Sequence, residues 1–402
     1  MILMMMVLLM LMMTLTEASK LQLSSQCARY DTYDSFLVDT HRFSRCVLRS
    51  PEHRLKAFEQ LFHSFSAQQY STDIMKNALS KKLIKPNEPI VIMSTGDHGL
   101  GKTRSAKLLY SAMFENAHLN NNGDGLLIIH GEEYRLVRGN DEPAVTRARR
   151  DLHDKIRAQL DKCPESLILL DEIQKIHPDV LSVLEPFFEG LTMSNNVITN
   201  RAIYVLTSDF GLEGSTKGKT SAEVVEMVIK FSNMIYKDTK IMSLVTDIAP
   251  FRALSASETD ELLLYHLVSE FCQSLRLQGM SELTLTNQEA TMAFLRRHVE
   301  RLYASENVRG IEKSVEHHIL NNVTVHLANN QALYKGSEPI AEQPNGWFDR
   351  HWRETGCHAI VNVVNQGTDK VLEIEYKLVT EDQHRDYLSP FKFVAKKIRI
   401  WK

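Results

Sequence analysis

One glycine-rich segment of the sequence has the residue types and the spacing that bind phosphate groups. It fits the pattern G-x-x-x-x-G-K-[ST] and consists of Gly96-Asp97-His98-Gly99-Leu100-Gly101-Lys102-Thr103. Glycines let the backbone curl until successive N–H groups point at phosphate oxygens, and a helix N-terminus adds a partial positive charge. In such a loop Lys102 contacts the β- and γ-phosphates and the Thr103 hydroxyl ligates Mg²⁺. A chance Gly-Lys-Thr turn is the alternative, but the apolar run before the loop and the helical pattern after it favour binding of ATP or ADP.

Two carboxylates follow a second apolar run, Ser166-Leu167-Ile168-Leu169-Leu170. Asp171 and Glu172 are therefore expected at the C-terminal end of a buried strand, which is where α/β folds bind ligands. Asp171 would hold Mg²⁺, directly or through water, and Glu172 would orient and polarise the attacking water. An acidic helix start after a strand is the alternative interpretation. The phosphate-binding loop upstream favours the catalytic one.

Both motifs need a sheet and helices to position them, and the hydrophobic pattern predicts that framework. Short apolar runs at 89–93, 126–129, 166–170 and 202–206 alternate with helical stretches at 103–115, 143–161 and from Pro178. Continuous apolar strands between amphipathic helices are typical of a parallel sheet with both faces covered. The predicted fold class is therefore α/β, a nucleotide-binding domain followed by a helical lid and a small C-terminal segment that contains strands.

The chain divides into five predicted parts. These are a signal peptide (1–18), an N-terminal helical segment (19–85), the large nucleotide-binding domain (86–252), a helical lid (253–335) and a C-terminal β-containing segment (336–402). Met1 to Met13 form an apolar run of the size of a signal-peptide h-region, too short for a comfortable membrane span. No basic residue precedes Lys20, so an uncleaved anchor and a misassigned start codon remain alternatives.

Composition excludes several other classes of protein. The 402 residues carry a formal net charge of −3, which gives no electrostatic case for binding nucleic acid. Five cysteines are too few for a disulfide scaffold, and whether Cys27 and Cys46 pair is left open. The histidines at 130, 177, 317 and 318 have no third partner at metal-ligand spacing.

Several segments together resemble the AAA+ ATPases, specifically the Clp unfoldases and the related torsins. The segment from Asp171 to Val180 is similar to the Walker B region of Clp proteins, whereas residues 163–167, 183–188 and 243–251 are more similar to torsins. This resemblance implies an ATP hydrolase that uses Mg²⁺ and remodels protein clients as a chaperone. Torsins are lumenal proteins of the endoplasmic reticulum and nuclear envelope, in agreement with a signal peptide, so peripheral association with a membrane is a further expectation.

The resemblance also assigns two nucleotide sensors. Asp209 stands where the family usually has the asparagine of sensor 1, and its charge would repel the γ-phosphate. A simple turn residue at the strand end is the alternative for Asp209. Arg309, after Asn307 and Val308, corresponds to sensor 2 and would lay its guanidinium on the phosphates. The alternative for Arg309 is a residue on a helix surface.

The arginine finger of Clp proteins has no counterpart here. Leu244 occupies the aligned position, and no arginine occurs between Arg201 and Arg252. Torsins share this absence and take an arginine from an activator, so slow basal hydrolysis and a homo-oligomer or a hetero-oligomer with such an activator are expected. The alternatives are an autonomous Clp-type unfoldase and an ATP-binding scaffold with negligible hydrolysis.

Overall fold

The computed structural model describes most of the chain in two compact units. The described residues are 20–29, 46–115, 125–135, 141–191, 197–209, 214–237, 239–302, 307–330, 355–366, 369–380 and 396–400. The large unit consists of Tyr33–Ser255 and Ser305–Val308, and the small unit of Met1–Thr32, Ala256–Ala304 and Arg309–Lys402. The predicted signal peptide and residues 336–354 of the predicted C-terminal segment lie outside the described residues.

The strands of the described part, in chain order, are β1 (Leu21–Gln22), β2 (Ile90–Gly96), β3 (Leu126–His130), β4 (Leu167–Asp171), β5 (Ile203–Ser208), β6 (Asp247–Phe251), β7 (Met280–Leu285), β8 (Thr355–Gln366), β9 (Asp369–Thr380) and β10 (Lys396–Ile400). The α-helices are α1 (Pro51–Leu61), α2 (Gln69–Ile84), α3 (Lys102–Met113), α4 (Glu142–Lys162), α5 (Pro178–Leu181), α6 (Glu185–Phe188), α7 (Ser221–Ile235), α8 (Ile241–Leu244), α9 (Ala256–Glu270), α10 (Gln288–Leu302), α11 (Val308–Val315) and α12 (Asn321–Asn329). No helix among these residues is both long enough and apolar enough to cross a membrane.

The large unit is built on a five-stranded parallel sheet with the order β3-β4-β5-β2-β6. Successive residues of β2 point to opposite faces: Val91 and Met93 pack into one buried cluster, Ile90 and Ile92 into another. Because each face of the sheet packs against a hydrophobic cluster, the central strands are continuous apolar runs in the sequence. The predicted parallel sheet with helices on both faces is confirmed. The edge strand β6 is not among the strands predicted from the apolar runs.

Helices supply the outer halves of these two clusters. On one face lie α4, through Leu152 and Ile156, and α7; on the other lie α1, α2 and α3. The predicted helix over 143–161 corresponds to α4. Asp141 caps its N-terminus by accepting a hydrogen bond from the Ala144 N–H at 3.1 Å.

The small unit combines helices with a second, mostly antiparallel sheet. Its strand order is β1-β7-β8-β9-β10, and only the β7–β8 pair is parallel. The lid region was expected to be helical, yet β7 lies within it and pairs with β8 of the C-terminal segment. Residues 253–335 and 336–402 therefore share one sheet. The predicted segment 19–85 is divided, with residues 20–29 in the small unit and 46–85 in the large one.

Two disulfides join residues that are far apart in the sequence. Cys27 bonds to Cys272 within the small unit, and Cys46 bonds to Cys163 within the large unit. Whether Cys27 pairs with Cys46 is left open by the sequence, and in the structure these two cysteines do not pair with each other. Each of the two cysteines is brought to a partner on another element of its own unit, so nearness in sequence does not decide the pairing. Cys357 is buried and forms no disulfide with another cysteine in the described part of the chain.

Candidate nucleotide-binding site

The phosphate-binding loop connects β2 to α3, which is the context that the motif requires. Gly96 ends β2 with φ 144°, and a Cβ placed there would lie 1.8 Å from the Phe251 carbonyl oxygen of β6. Only glycine fits that position. The loop therefore leaves the sheet beside β6 and delivers Lys102 as the first residue of α3.

The Lys102 side chain folds back over the loop. Its Nζ donates to the carbonyl oxygens of Gly96 at 2.7 Å and Asp97 at 2.8 Å. Burial lowers the pKa of Lys102 to about 8, and nearby carboxylates, Asp209 foremost, oppose that shift. The ammonium therefore lies beside the backbone of Gly96, the first glycine of the motif, as expected of a group that contacts phosphate.

Side chains from one helix and two strands converge on the Asp171 carboxylate. The Thr103 hydroxyl donates to Asp171 Oδ1 at 2.7 Å, and the Thr207 hydroxyl donates to the same oxygen at 2.6 Å. His130 Nδ1 lies 3.6 Å from the other oxygen, Oδ2. A hydroxyl and a carboxylate side by side form the hard-oxygen donor set that Mg²⁺ prefers, so Thr103 and Asp171 fit the predicted metal role.

Glu172 has an unusual backbone conformation for a residue with a side chain. Its φ and ψ are 60° and 52°, in the left-handed region. The Glu172 N–H donates to Thr207 Oγ1 at 2.8 Å, and a Cβ at Gly131 would lie 2.2 Å from the Glu172 carbonyl oxygen. Such a conformation costs on the order of 1 kcal/mol and persists where neighbours enforce it. Here Thr207 and the close approach of Gly131 do so.

A chain of ion pairs holds the Glu172 side chain. Lys175 Nζ lies 2.8 Å from a Glu172 oxygen and 2.8 Å from a Glu132 oxygen. Lys175 belongs to the 3-10 helix Ile173–Lys175 and Glu132 to the 3-10 helix Gly131–Tyr134. The Glu172 carboxylate is about one third exposed, so water can reach it.

The structure adds Thr207 and Lys175 to the residues predicted from the sequence. Thr207 links the Asp171 carboxylate to the Glu172 backbone although it lies on β5, the neighbouring strand. The signal was available as two hydroxyl residues at the end of an apolar strand, Thr207 and Ser208. Only strand order shows that this end lies beside the two carboxylates.

The remaining predicted loop residues differ in their surroundings. Asp97 is 1% exposed and one of its oxygens accepts a hydrogen bond from the Thr216 hydroxyl, whereas Leu100 is buried in the core and His98 is exposed. Asn307 donates through its side-chain amide to the His98 carbonyl oxygen. The Val308 N–H donates to the Gly99 carbonyl oxygen at 3.1 Å. The segment that precedes Arg309 is thus attached to the phosphate-binding loop.

The two predicted sensors, and Leu244 at the position aligned with the arginine finger, lie in three different parts of the structure. Asp209 directly follows β5 and accepts a hydrogen bond from Gln174 Nε2 at 2.9 Å. Arg309 is exposed and belongs to the small unit, so its contact with phosphate stays a prediction. Leu244 ends α8 and packs, partly buried, against the core of the large unit.

Comparison with known proteins agrees with this geometry. Residues 87–273 match the family model described as AAA domain (Cdc48 subfamily). The chaperone protein ClpB of Enterococcus faecalis is 25% identical over 328 residues, covering 72% of this chain and 36% of that protein. Heat shock protein 104 of Schizosaccharomyces pombe is 24% identical over 306 residues, with 71% and 32% covered. The chain thus spans about a third of the length of these two relatives.

Solved structures show the same fold. The S. cerevisiae Hsp104-ADP complex matches with a TM-score of 0.57 at 19% identity, covering 80% of this chain and 52% of that chain. The extended conformation of the S. cerevisiae Hsp104:casein complex matches with a TM-score of 0.54 at 18% identity, with 79% and 51% covered. Together with the motif residues at the end of the parallel sheet, these similarities show that the chain contains an α/β domain with the AAA+ fold, similar to that of the Hsp104 structures.

Proposed function

We propose that this protein binds ATP with Mg²⁺ and uses its hydrolysis to remodel protein clients, as a chaperone-type ATPase of the Clp class. The observation that carries the proposal is the convergence of Thr103, Asp171, Thr207 and Glu172 beside the phosphate-binding loop. This arrangement supports a division of roles in which Asp171 binds metal together with Thr103, and the adjacent Glu172 activates water. Hydrolysis of the γ-phosphate requires both functions.

Each residue has a distinct role in this proposal. Lys102 and the loop N–H groups bind the phosphates, and Thr103 with Asp171 hold Mg²⁺, which neutralises phosphate charge when bound. Glu172 orients the attacking water and accepts its proton. Lys175 forms an ion pair with that carboxylate, and Thr207 keeps the Glu172 backbone in place.

The residues directly before Arg309 are attached to the phosphate-binding loop within the large unit. Asn307 and Val308 are hydrogen-bonded to the loop at His98 and Gly99, and Arg309 is the next residue. We infer that a change in the loop on nucleotide binding is transmitted through these two bonds to Arg309 and α11. Arg309 would contact the phosphates as sensor 2.

Protein clients are proposed on the strength of the relatives. Two of them are named chaperones or heat shock proteins, and one solved neighbour is a complex with casein. Assembly into a homo-oligomer, or into a hetero-oligomer with an activator, is proposed from the resemblance of the sequence motifs to the Clp proteins and torsins.

A second candidate function is a torsin-like ATPase of the endoplasmic reticulum lumen or nuclear envelope that depends on an activator. The two disulfides favour it, because such bonds persist in oxidising compartments and are rare in the cytosol. The absence of any arginine between Arg201 and Arg252 favours an arginine supplied by a partner. ATP hydrolysis by the purified protein, with and without lumenal extract, separates this candidate from an autonomous unfoldase: an activator that supplies the arginine raises the rate on the order of 10³-fold or more.

The proposed function is tested by two substitutions in the site. Lys102→Ala should abolish nucleotide binding, because it removes the cation that contacts phosphate. Glu172→Gln should retain ATP and stop hydrolysis, because an amide cannot accept the proton of the water. Binding is measured with a fluorescent ATP analogue and turnover by phosphate release. A Glu172→Gln protein that hydrolyses ATP at the wild-type rate would exclude the water-activating role.

A further inference from the structure

Three side chains with metal-binding atoms lie together at the edge of the nucleotide site. His98 of the loop, Glu172 after β4 and Asp209 after β5 each offer one ligand atom, and these atoms all lie within 4.8 Å of one another. They come from three separate connections at the same end of the sheet. The pair assigned to Mg²⁺, Thr103 and Asp171, is not part of this group.

Contacts outside the group hold the backbones of His98 and Glu172 and the carboxylate of Asp209. His98 accepts a hydrogen bond from Asn307 through its carbonyl oxygen. The Glu172 N–H donates to the Thr207 hydroxyl. The Asp209 carboxylate accepts a hydrogen bond from Gln174 Nε2. Because these segments are held before any ligand binds, the entropic cost of binding is reduced.

The charge around these side chains favours a cation. Four carboxylates act electrostatically on the Lys102 ammonium, namely Asp209, Asp97, Asp171 and Glu172. Lys175 is paired with Glu172 and also with Glu132. Because ATP brings further negative charge, one Mg²⁺ leaves the site with an excess of negative charge that a second divalent cation would neutralise.

We propose that His98, Glu172 and Asp209 form a binding site for a zinc-class divalent cation, separate from the Mg²⁺ site. Imidazole nitrogen and carboxylate oxygen are both zinc ligands, and zinc sites with three protein ligands keep a fourth position open to water, whereas Mg²⁺ prefers oxygen ligands alone. The consequence is regulatory and rests on the proposed function. A cation bound by Glu172 withdraws that carboxylate from water activation and slows the hydrolysis of ATP.

The site is tested by titrating the full-length, disulfide-intact protein with Zn²⁺ in an isothermal calorimeter, without nucleotide. We expect one equivalent to bind at least about tenfold more tightly to the wild type than to His98→Ala or Asp209→Asn, since each variant loses one of three ligands. His153→Ala is the matched control, because His153 also pairs with a carboxylate, Asp154, but has no third donor in the described part of the chain. Circular dichroism melts verify that the variants fold.

Each outcome of the titration decides between explanations. Wild-type titration curves from both His98→Ala and Asp209→Asn would overturn the proposal. Loss of Zn²⁺ binding in Thr103→Val would also overturn it, because the ion would then occupy the Mg²⁺ pair. Failure of the wild type to bind ATP would contradict the proposed function without changing the Zn²⁺ result. Half-maximal inhibition of hydrolysis at higher Zn²⁺ in Asp209→Asn than in the wild type would support the regulatory consequence.

Discussion

Replacement of Thr207 by valine removes one hydroxyl and adds a methyl group of similar size. The hydroxyl donates to Asp171 Oδ1 at 2.6 Å and accepts the Glu172 N–H at 2.8 Å, and the residue is 1% exposed. The substitution therefore leaves a backbone N–H without its partner inside the protein. It also removes one of the two hydroxyl donors to the Asp171 carboxylate.

The expected magnitudes follow from these two bonds. A buried donor left without an acceptor costs about 1–3 kcal/mol, so Thr207→Val should lower the free energy of unfolding by that amount. Without the bond to Thr207, Glu172 can leave its left-handed conformation, and its carboxylate is no longer held toward the water. We expect kcat to fall roughly 10- to 100-fold, which corresponds to about 1.4–2.7 kcal/mol in activation free energy.

Nucleotide affinity should change far less than turnover. The loop glycines, Lys102 and Thr103 are untouched by the substitution, so the Kd for a fluorescent ATP analogue should stay within about threefold of the wild type. Turnover is measured by phosphate release and stability by chemical denaturation. A structural defect alone would change affinity and turnover together.

Two control substitutions make the result specific to the hydroxyl. Thr207→Ser keeps the hydroxyl and should retain most of the activity. Thr95→Val makes the same chemical change on β2, where the Thr95 hydroxyl is buried without a hydrogen-bond partner among the described residues. Turnover by Thr207→Val at the wild-type rate, with its fold intact, would refute the role given to Thr207.

Three further predictions concern other parts of the chain. Asp209→Asn should raise ATP turnover roughly two- to tenfold, because it removes negative charge where hydrolysis builds more; unchanged phosphate release would show that Asp209 does not face the phosphate. The wild type should lose stability in acid, and His318→Phe should lose less. Burial lowers the pKa of His318 to about 4, so between pH 6.5 and 4 the unfolded chain binds a proton that the folded chain does not. Wild-type stability should therefore fall by about 2 kcal/mol more than that of the variant from pH 7 to 5 in denaturation curves, and equal falls would be the contrary result. Joint replacement of Cys46 and Cys163 by serine opens a link across 117 residues and should cost about 2–4 kcal/mol, which an unchanged denaturation midpoint would contradict.

The elements of the large unit could be predicted to a large extent because its central strands are buried on both faces. Continuous apolar runs predicted β2, β3, β4 and β5. Each strand continues one to three residues further at its C-terminal end than predicted, and β2, β4 and β5 begin one residue later. The edge strand β6 is less apolar and contains Pro250, a residue tolerated at a sheet edge, so its sequence gave a weaker signal. The lid strand β7 carries an exposed and a half-buried residue after its first position, and β8, the strand with which it pairs, lies far away in the sequence.

The sequence by itself determined the chemistry of the phosphate-binding loop and of the two carboxylates, because these functions depend on residue types at fixed local spacing. Tertiary structure alone decided that Thr207 joins Asp171 to Glu172, and that His98, Glu172 and Asp209 lie together. It also decided that Cys46 bonds to Cys163 and Cys27 to Cys272. The physical reason is the order of strands in the parallel sheet: β2, β4 and β5 are separated in the chain, but they end at the same edge and bring their following residues into contact.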